Sequence, residues 1–272
     1  MKNRFKDKVV IVTGASSGIG EAVARRFAAS GSKVMLAARS GGKLSRITGE
    51  IRDKNQEASY IITDVSSETD CKNLVDKTVE KYGTVDILVN NAGISMRALF
   101  DEVDLKVLHD LMNVNFWGTV YCTKYALPFL VANKGSLIGM SSIAGFNGLP
   151  GRTGYSASKF AMHGFLETIR IENLRKGLHV MIIAPGFTAS EIRLHARTKD
   201  GTEQGMSPQE EKNLMTPEYV AKCVQRGIIW KKRNMILTWV GRFTALFQRI
   251  LPTLVDWGFY VAMKREPDSP FK

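Results

Sequence analysis

Residues 8–28 read KVVIVTGASSGIGEAVARRFA. A β-branched apolar run, Val9 to Val12, stops at Thr13 and Gly14; from Ile19 onward apolar residues recur at three and four, the helical period. The stretch is therefore a strand, a tight turn and a helix. Gly14, Gly18 and Gly20 stand in the turn and the first helical turn, where glycine permits a sharp bend, close backbone approach to a pyrophosphate and close packing of helix on strand. The helix start offers free N–H groups and the positive end of a dipole to phosphate. Ser16, Ser17 and Ile19 lie in the same turn and join the glycines as candidate cofactor-binding residues.

The same rhythm continues along the chain. Short β-rich runs follow at SKVMLAAR, ASYIITDV, VDILVNNAG, GSLIGMSS, LHVMIIAPG and NMILTWV, with helical patterns between them. Strand and helix in alternation give a parallel sheet covered by helices on both faces. We expect an α/β protein: a single doubly wound Rossmann fold of about seven strands. No internal repeat and no long Pro/Gly/Ser linker divides the 272 residues. Residues 1–240 form the expected domain and 241–272 a C-terminal helical extension. Residues 187–216 carry neither pattern and are expected to be a substrate loop, since long loops in compact domains are commonly lids or binding loops.

Composition narrows the class. Hydrophobic residues make up 44% and charged residues 24%, as in a globular protein with a substantial core. No apolar run reaches the ~18–20 residues of a membrane span. The N-terminus runs from a charged stretch straight into a strand and has no signal-peptide pattern. Cys71, Cys122 and Cys223 are too few and too scattered for a disulfide framework or a metal knuckle, so a reducing, cytoplasmic setting is expected. The net charge of +12 comes without a zinc-finger or RNA-binding motif, and nucleic acid is not the expected partner. His109, His163, His179 and His195 show no ligand spacing, and no metal is expected.

Residues 155–159, YSASK, place a tyrosine and a lysine about one helical turn apart. An ammonium near a phenol favours the phenolate and is expected to bring its pKa down from about 10, which suits a group that must give and take a proton. With the TGxxxGIG spacing, NNAG at 90–93 and Ser142, this motif resembles the short-chain dehydrogenase/reductase family over about residues 6–240. The resemblance implies Asn115, Ser142, Tyr155 and Lys159 as the catalytic set. Tyr155 is the implied proton donor, and Lys159 is implied to hold the nicotinamide ribose as well. Ser142 is implied to bond the substrate oxygen. Asn115 sits in a helical pattern, where a residue of this kind can also simply bond its own backbone; the resemblance implies a distortion there that holds a water leading from Lys159 to solvent. Asn90 is expected to touch the cofactor, with Ala92 and Gly93 beside it, and Asn91 to support the sheet. Asp64 is placed to bond the adenine amino group, with Val65 next to it; capping the following helix is the rival role. Pro185, Gly186, Phe187 and Thr188, in APGFT, are implied to face the nicotinamide.

The second strand ends in AARS. Ala38 stands where an NAD enzyme carries an acid for the ribose 2′-OH, and Arg39 follows. An arginine can bind a 2′-phosphate through charge-assisted hydrogen bonds, so NADP(H) is the expected cofactor, with Ser16, Ser17 and Ser40 adding contacts; a solvated surface arginine is the alternative.

The substrate is expected to be a hydrophobic ketone, in a pocket walled by Ser95, Ile143, Asn147, Leu149 and Phe187. From Phe243 to Phe259 apolar residues fall at helical spacing, interrupted at Pro252, with Arg242, Arg249, Lys264 and Arg265 around them. Such a basic amphipathic segment can lie on a membrane interface, giving a peripheral position at its inner face, or pack on its own domain or a partner subunit. The tail resembles lipid-handling family members, reductases of 3-ketosphinganine or acyl-dihydroxyacetone phosphate, which ranks a long-chain lipid ketone first. An NADP-dependent hydroxysteroid or bile-acid dehydrogenase is the alternative, and a catalytically silent NADP-binding protein the third. The family resemblance implies a homodimer or homotetramer.

Overall fold

The structure, a computed structural model, describes residues 4–189, 191–205, 214–265, 269 and 271; residues 190 and 206–213 of the expected substrate loop lie outside that set. Seven parallel strands form one sheet: β1 (Val9–Thr13), β2 (Lys33–Ala38), β3 (Ala58–Ile62), β4 (Ile87–Asn90), β5 (Ser136–Met140), β6 (His179–Ala184) and β7 (Asn234–Ile236). Their spatial order is β3-β2-β1-β4-β5-β6-β7. The winding reverses between β1 and β4, and in open sheets of this kind the ligand crevice lies at that switch point, beyond the carboxyl ends of the strands.

Successive strand residues point to opposite faces, and the core divides accordingly. Val10, Val12, Val34 and Leu36 pack with α1 (Gly18–Ala28), α2 (Gly41–Arg52) and α7 (Pro217–Ile229). Ile11, Met35, Leu88 and Leu137 pack with α3 (Glu68–Tyr82), α5 (Gly118–Ala132) and α6 (Thr153–Glu172). Both faces being covered explains why the strands read as unbroken apolar runs rather than as alternating ones.

Local chemistry sets the helix ends. Ser67 caps α3 by accepting from Asp70 N at 3.2 Å, and Gly83, at φ 83°, closes it in the left-handed region. Thr216 caps α7 with Pro217 in the first turn. Between α4 (Leu105–Leu111) and α5 the chain winds as a π-helical turn, Met112–Trp117.

Beyond β7 lie α8 (Trp239–Phe247) and α9 (Pro252–Lys264), the second starting at the proline as the sequence suggested. Gly241 and Met263 are buried, while most of the large apolar side chains face solvent. Trp239 is 74% and Trp257 65% exposed, and Phe243, Leu246 and Leu254 are exposed as well. The tail is thus only partly covered by its own domain.

Candidate active site

The glycine turn sits at the switch point. Gly14 (φ 64°) and Gly18 (φ 54°) are in the left-handed region, and a β-carbon on Gly14 would lie 2.8 Å from Ala92 Cα. Thr13 Oγ1 accepts from Asn91 N and Ala92 N, both at 3.0 Å. Asn91 Nδ2 donates back to Thr13 O at 3.0 Å and Gly14 O at 3.2 Å. Asn91 thus fastens β4 to β1, the supporting role expected of it. Three observations fit a dinucleotide here. The N-terminus of α1 has no side-chain cap, Ser17 being extended at φ −165°. The two left-handed glycines bring backbone to the cleft. Buried Asn90 donates to Thr123 Oγ1 at 3.1 Å while its own Oδ1 has no partner, an orphan acceptor of the kind a ligand satisfies.

At the end of β2, Ala38 is buried and Arg39 and Ser40 are exposed. Lys43, in the first turn of α2, stands beside them and pairs with Glu191 of the substrate loop, Nζ to Oε2 3.1 Å. That lysine hydrogen bond holds the Glu191 carboxyl below its usual range, with Ser17 adding a second hydrogen bond. Glu203 is lowered chiefly by its hydrogen bond to His195, with smaller contributions from Arg197 and Arg39. The loop therefore sets two carboxylates beside Ser17, Arg39 and Lys43. Lys43 escaped the sequence reading; the available signal was a second cation one helical turn after Arg39.

Asp64 does not cap α3: its Oδ1 accepts from Ser66 N at 2.9 Å and Ser66 Oγ at 2.7 Å, closing a small turn, and Ser67 is the cap. Val65 turns its side chain into the core, where a β-carbon on Gly118 would meet it at 2.8 Å, so it can offer a cofactor only backbone.

The catalytic candidates converge from three elements. Ser142 follows β5, half-buried and extended (φ −152°), its Oγ accepting from Ala144 N at 3.3 Å. Tyr155 and Lys159 are on α6, buried, with Lys159 Nζ 5.7 Å from the Tyr155 ring centre. Ser142 lies beside the Tyr155 phenol and favours its ionised form. Lys159 Nζ donates to Met140 O at 2.9 Å. Asn115 lies inside the π-helical turn, fully buried: Oδ1 accepts from Ile94 N at 2.8 Å, and Nδ2 donates to Ile94 O at 3.0 Å and Ser158 Oγ at 2.9 Å. Its side chain bonds across to another segment rather than to its own helix, and π-turns of this kind concentrate at functional sites. Gly93 keeps the space between the groups open: a β-carbon there would stand 3.0 Å from Asn115 Oδ1 and 3.6 Å from Lys159 Nζ.

The electrostatics differ from the expectation for YSASK. Burial pushes the Tyr155 phenol above its ordinary value; Ser142 and the charge of Arg152 oppose the rise without cancelling it. Lys159 is not among the groups that move it. The ammonium is itself buried, and desolvation drives it down to about 8. Arg152, which escaped the sequence reading, also ties the pocket wall together, Nη1 donating to Ser95 Oγ and Met96 O at 3.1 Å each.

On the nicotinamide side, Pro185 and Gly186 follow β6. Thr188 is buried and donates to Gly186 O at 3.0 Å, while Phe187 is 50% exposed. Ile143 and Leu149 are half-buried beside the cleft. Asn147 is not a pocket wall: it is fully buried and its Nδ2 reaches Thr244 O at 3.3 Å and Gln248 Oε1 at 3.0 Å, pinning α8 to the loop after Ser142.

Comparison with known proteins places this geometry. A profile of the short chain dehydrogenase family matches residues 8–201. The chain is 33% identical over 260 residues to 11-beta-hydroxysteroid dehydrogenase 1A of Arabidopsis thaliana, covering 92% of this chain and 74% of that protein. It is 31% identical over 254 residues to dehydrogenase/reductase SDR family member 7B of Danio rerio, covering 91% and 82%. Among solved structures, an alcohol dehydrogenase from the archaeon Thermococcus sibiricus complexed with 5-hydroxy-NADP superposes with a TM-score of 0.73 at 27% identity, over 85% of this chain and 96% of that one. A short chain dehydrogenase/reductase from Burkholderia phymatum in complex with NAD shares the fold, with a TM-score of 0.83 at 23% identity over 92% and 95%.

Proposed function

The chain belongs to the short chain dehydrogenase family and is an oxidoreductase of CH–OH and C=O groups; from that premise we propose that it uses NADP(H) to interconvert a hydrophobic hydroxysteroid-type alcohol and its ketone. The observation that carries the reading is the convergence of Tyr155, Ser142 and buried Lys159 at the carboxyl end of the sheet. In reduction, Tyr155 gives its proton to the carbonyl oxygen while Ser142 hydrogen-bonds that oxygen as charge develops on it. A reduced nicotinamide, when bound, would supply the hydride to the carbonyl carbon. Lys159 would return a proton to the tyrosine and be reprotonated from solvent through a water held at the Asn115 turn. A phenol held above its ordinary value by burial is protonated at neutral pH, which suits the donor role. Arg39 and Lys43, with Ser16, Ser17 and Ser40, are the groups that would contact a 2′-phosphate; Ala38 puts no acid at the end of β2 itself, and the Glu191 carboxylate beside it is paired to Lys43.

The relatives named above favour the ring alcohol over the long-chain lipid ketone that the tail ranked first in the sequence. The exposed apolar tail keeps the long-chain ketone as a second reading. Free, buried Cys71, Cys122 and Cys223 support a reducing, cytoplasmic setting, and the apolar tail supports a peripheral membrane contact. Among the described residues, no helix is long and apolar enough to cross a membrane.

NADPH oxidation against a panel of steroid, sphingoid and glycerolipid ketones tests the proposal. A steroid ketone should be turned over fastest, and the Tyr155→Phe enzyme should lose that rate. Equal turnover by the variant would remove the proton donor, and a sphingoid preference would transfer the assignment to the second reading.

A further inference from the structure

The tail is both exposed and joined to the active site. α8 and α9 present Trp239, Phe243, Leu246, Leu254, Trp257 and Tyr260 to solvent, a contiguous apolar area of the kind that marks an interaction surface. Seven cations, from Lys231 to Arg265, surround it with a single acid, Asp256, in residues 231–265, and all seven are exposed. On its inner side the tail meets the catalytic loop. Asn147, five residues after Ser142, holds Thr244 O and Gln248, and a β-carbon on Gly241 would lie 3.2 Å from Ile143. Between α9 and residues 148–150 opens a cleft of about 450 Å³ lined by Leu149, Pro150, Ser156 and Phe259, next in sequence to Tyr155.

We propose that α8, α9 and the adjoining β7 edge seat the enzyme on an anionic bilayer surface, and that the cleft between α9 and residues 148–150 is the opening through which a ketone dissolved in that bilayer reaches the site. The second half rests on the oxidoreductase reading above; the first does not. The charge selects the occupant. A second copy docked two-fold on this face would set seven cations against seven, with one acid on each side to offset them. A bilayer rich in anionic lipid complements the same charge. The geometry agrees: helices of 9 and 13 residues are too short to span the hydrocarbon but can lie in the interface with their apolar sides down. Trp239, Trp257 and Tyr260 are the residue types that settle at headgroup depth. Because Asn147 and Gly241 join α8 to the loop after Ser142, seating the tail brings the cleft to the lipid surface.

The test uses the full chain, without cofactor or ketone, sedimented with phosphatidylcholine vesicles and with vesicles carrying a third phosphatidylserine. Wild type should bind the anionic vesicles about tenfold better, and the preference should fade with salt. Arg249→Glu with Lys264→Glu should abolish the preference, and Phe243→Ser with Trp257→Ser should lower binding about tenfold. Both variants should reduce a water-soluble ketone at the wild-type rate, while Phe243→Ser with Trp257→Ser turns over a vesicle-dissolved ketone more slowly. Equal binding to both vesicle types would overturn the proposal. So would a wild-type dimer that binds no vesicles and falls to monomers in Phe243→Ser with Trp257→Ser, which would make the face an interface between copies. If wild type turned over neither ketone, the entry route and the oxidoreductase reading would fall together, and sedimentation alone would decide the seat.

Discussion

At position 155 a phenol must exchange a proton from a site only 9% exposed to solvent. Burial works against that, and the structure answers with Ser142 and Arg152 rather than with Lys159. Replacing Tyr155 with Phe keeps the ring and its packing and removes the proton. We expect kcat to fall ~10²–10⁴-fold, the worth of a general acid, with an unchanged thermal unfolding midpoint. A midpoint shift of several degrees would mean that the hydroxyl serves the fold. At the other end of the cleft, Arg39→Asp removes a cation and adds a repelling anion. The ratio of kcat/KM for NADPH over NADH should drop by roughly ten- to a hundredfold, corresponding to the ~1.5–3 kcal/mol of a hydrogen bond to a charged group. An unchanged ratio would leave Arg39 a surface charge.

At the scale of elements, the site depends on where helices start and how they are wound. The π-helical turn at Met112–Trp117 puts Asn115 against Ile94 and Ser158. The cap of α7 has a plainer task. Thr216 accepts from Tyr219 N at 3.2 Å at the head of a helix whose Val220, Ala221 and Val224 are buried in the core. Thr216→Ala should cost about 1 kcal/mol, read as a lower denaturant midpoint with an unchanged slope. A changed slope would mean that the segment before α7 is loosened as a whole. The strand–turn–helix of residues 8–28 was legible because glycine placement and apolar period are local signals. The partnership of Lys43 with Glu191 was not, because 148 residues separate them and only the folded chain brings them together. Asn147 misled for the same reason: as a polar residue in a catalytic loop it resembled a pocket wall, and its partners lie about a hundred residues further on.

Across the whole molecule, two buried bases make stability depend on pH. Burial, with the charge of Lys159 adding to it, drives His163 from 6.5 down to about 4. The unfolded chain therefore binds the extra proton first as pH falls from about 6.5, and stability is lost down to about 4. Lys159, lowered from 10.5 to about 8, disfavours the fold below pH 8, and that penalty is relieved as pH climbs toward 10.5. The unfolding temperature should rise with pH through both windows. His163→Gln, which retains a partner for Ser141 Oγ, should flatten the acid window and leave the alkaline one. An unaltered acid slope would place its origin in other groups.

The sequence by itself determined the alternation of strand and helix, the dinucleotide turn and the types of residue in the catalytic set, since periodicity and motif spacing are properties of short stretches. It also marked the break at Pro252, because a ring without an N–H is favoured in the first turn of a helix and costly inside one. Only the tertiary structure decided what surrounds each of those groups. It showed that burial, not the lysine one turn away, governs the Tyr155 phenol. It showed that the acids of the substrate loop lie over the cations after β2, and that the tail is held by Asn147 yet keeps its apolar side chains in solvent. Desolvation and long-range pairing depend on which distant segments share a volume, and no local run of residues encodes that.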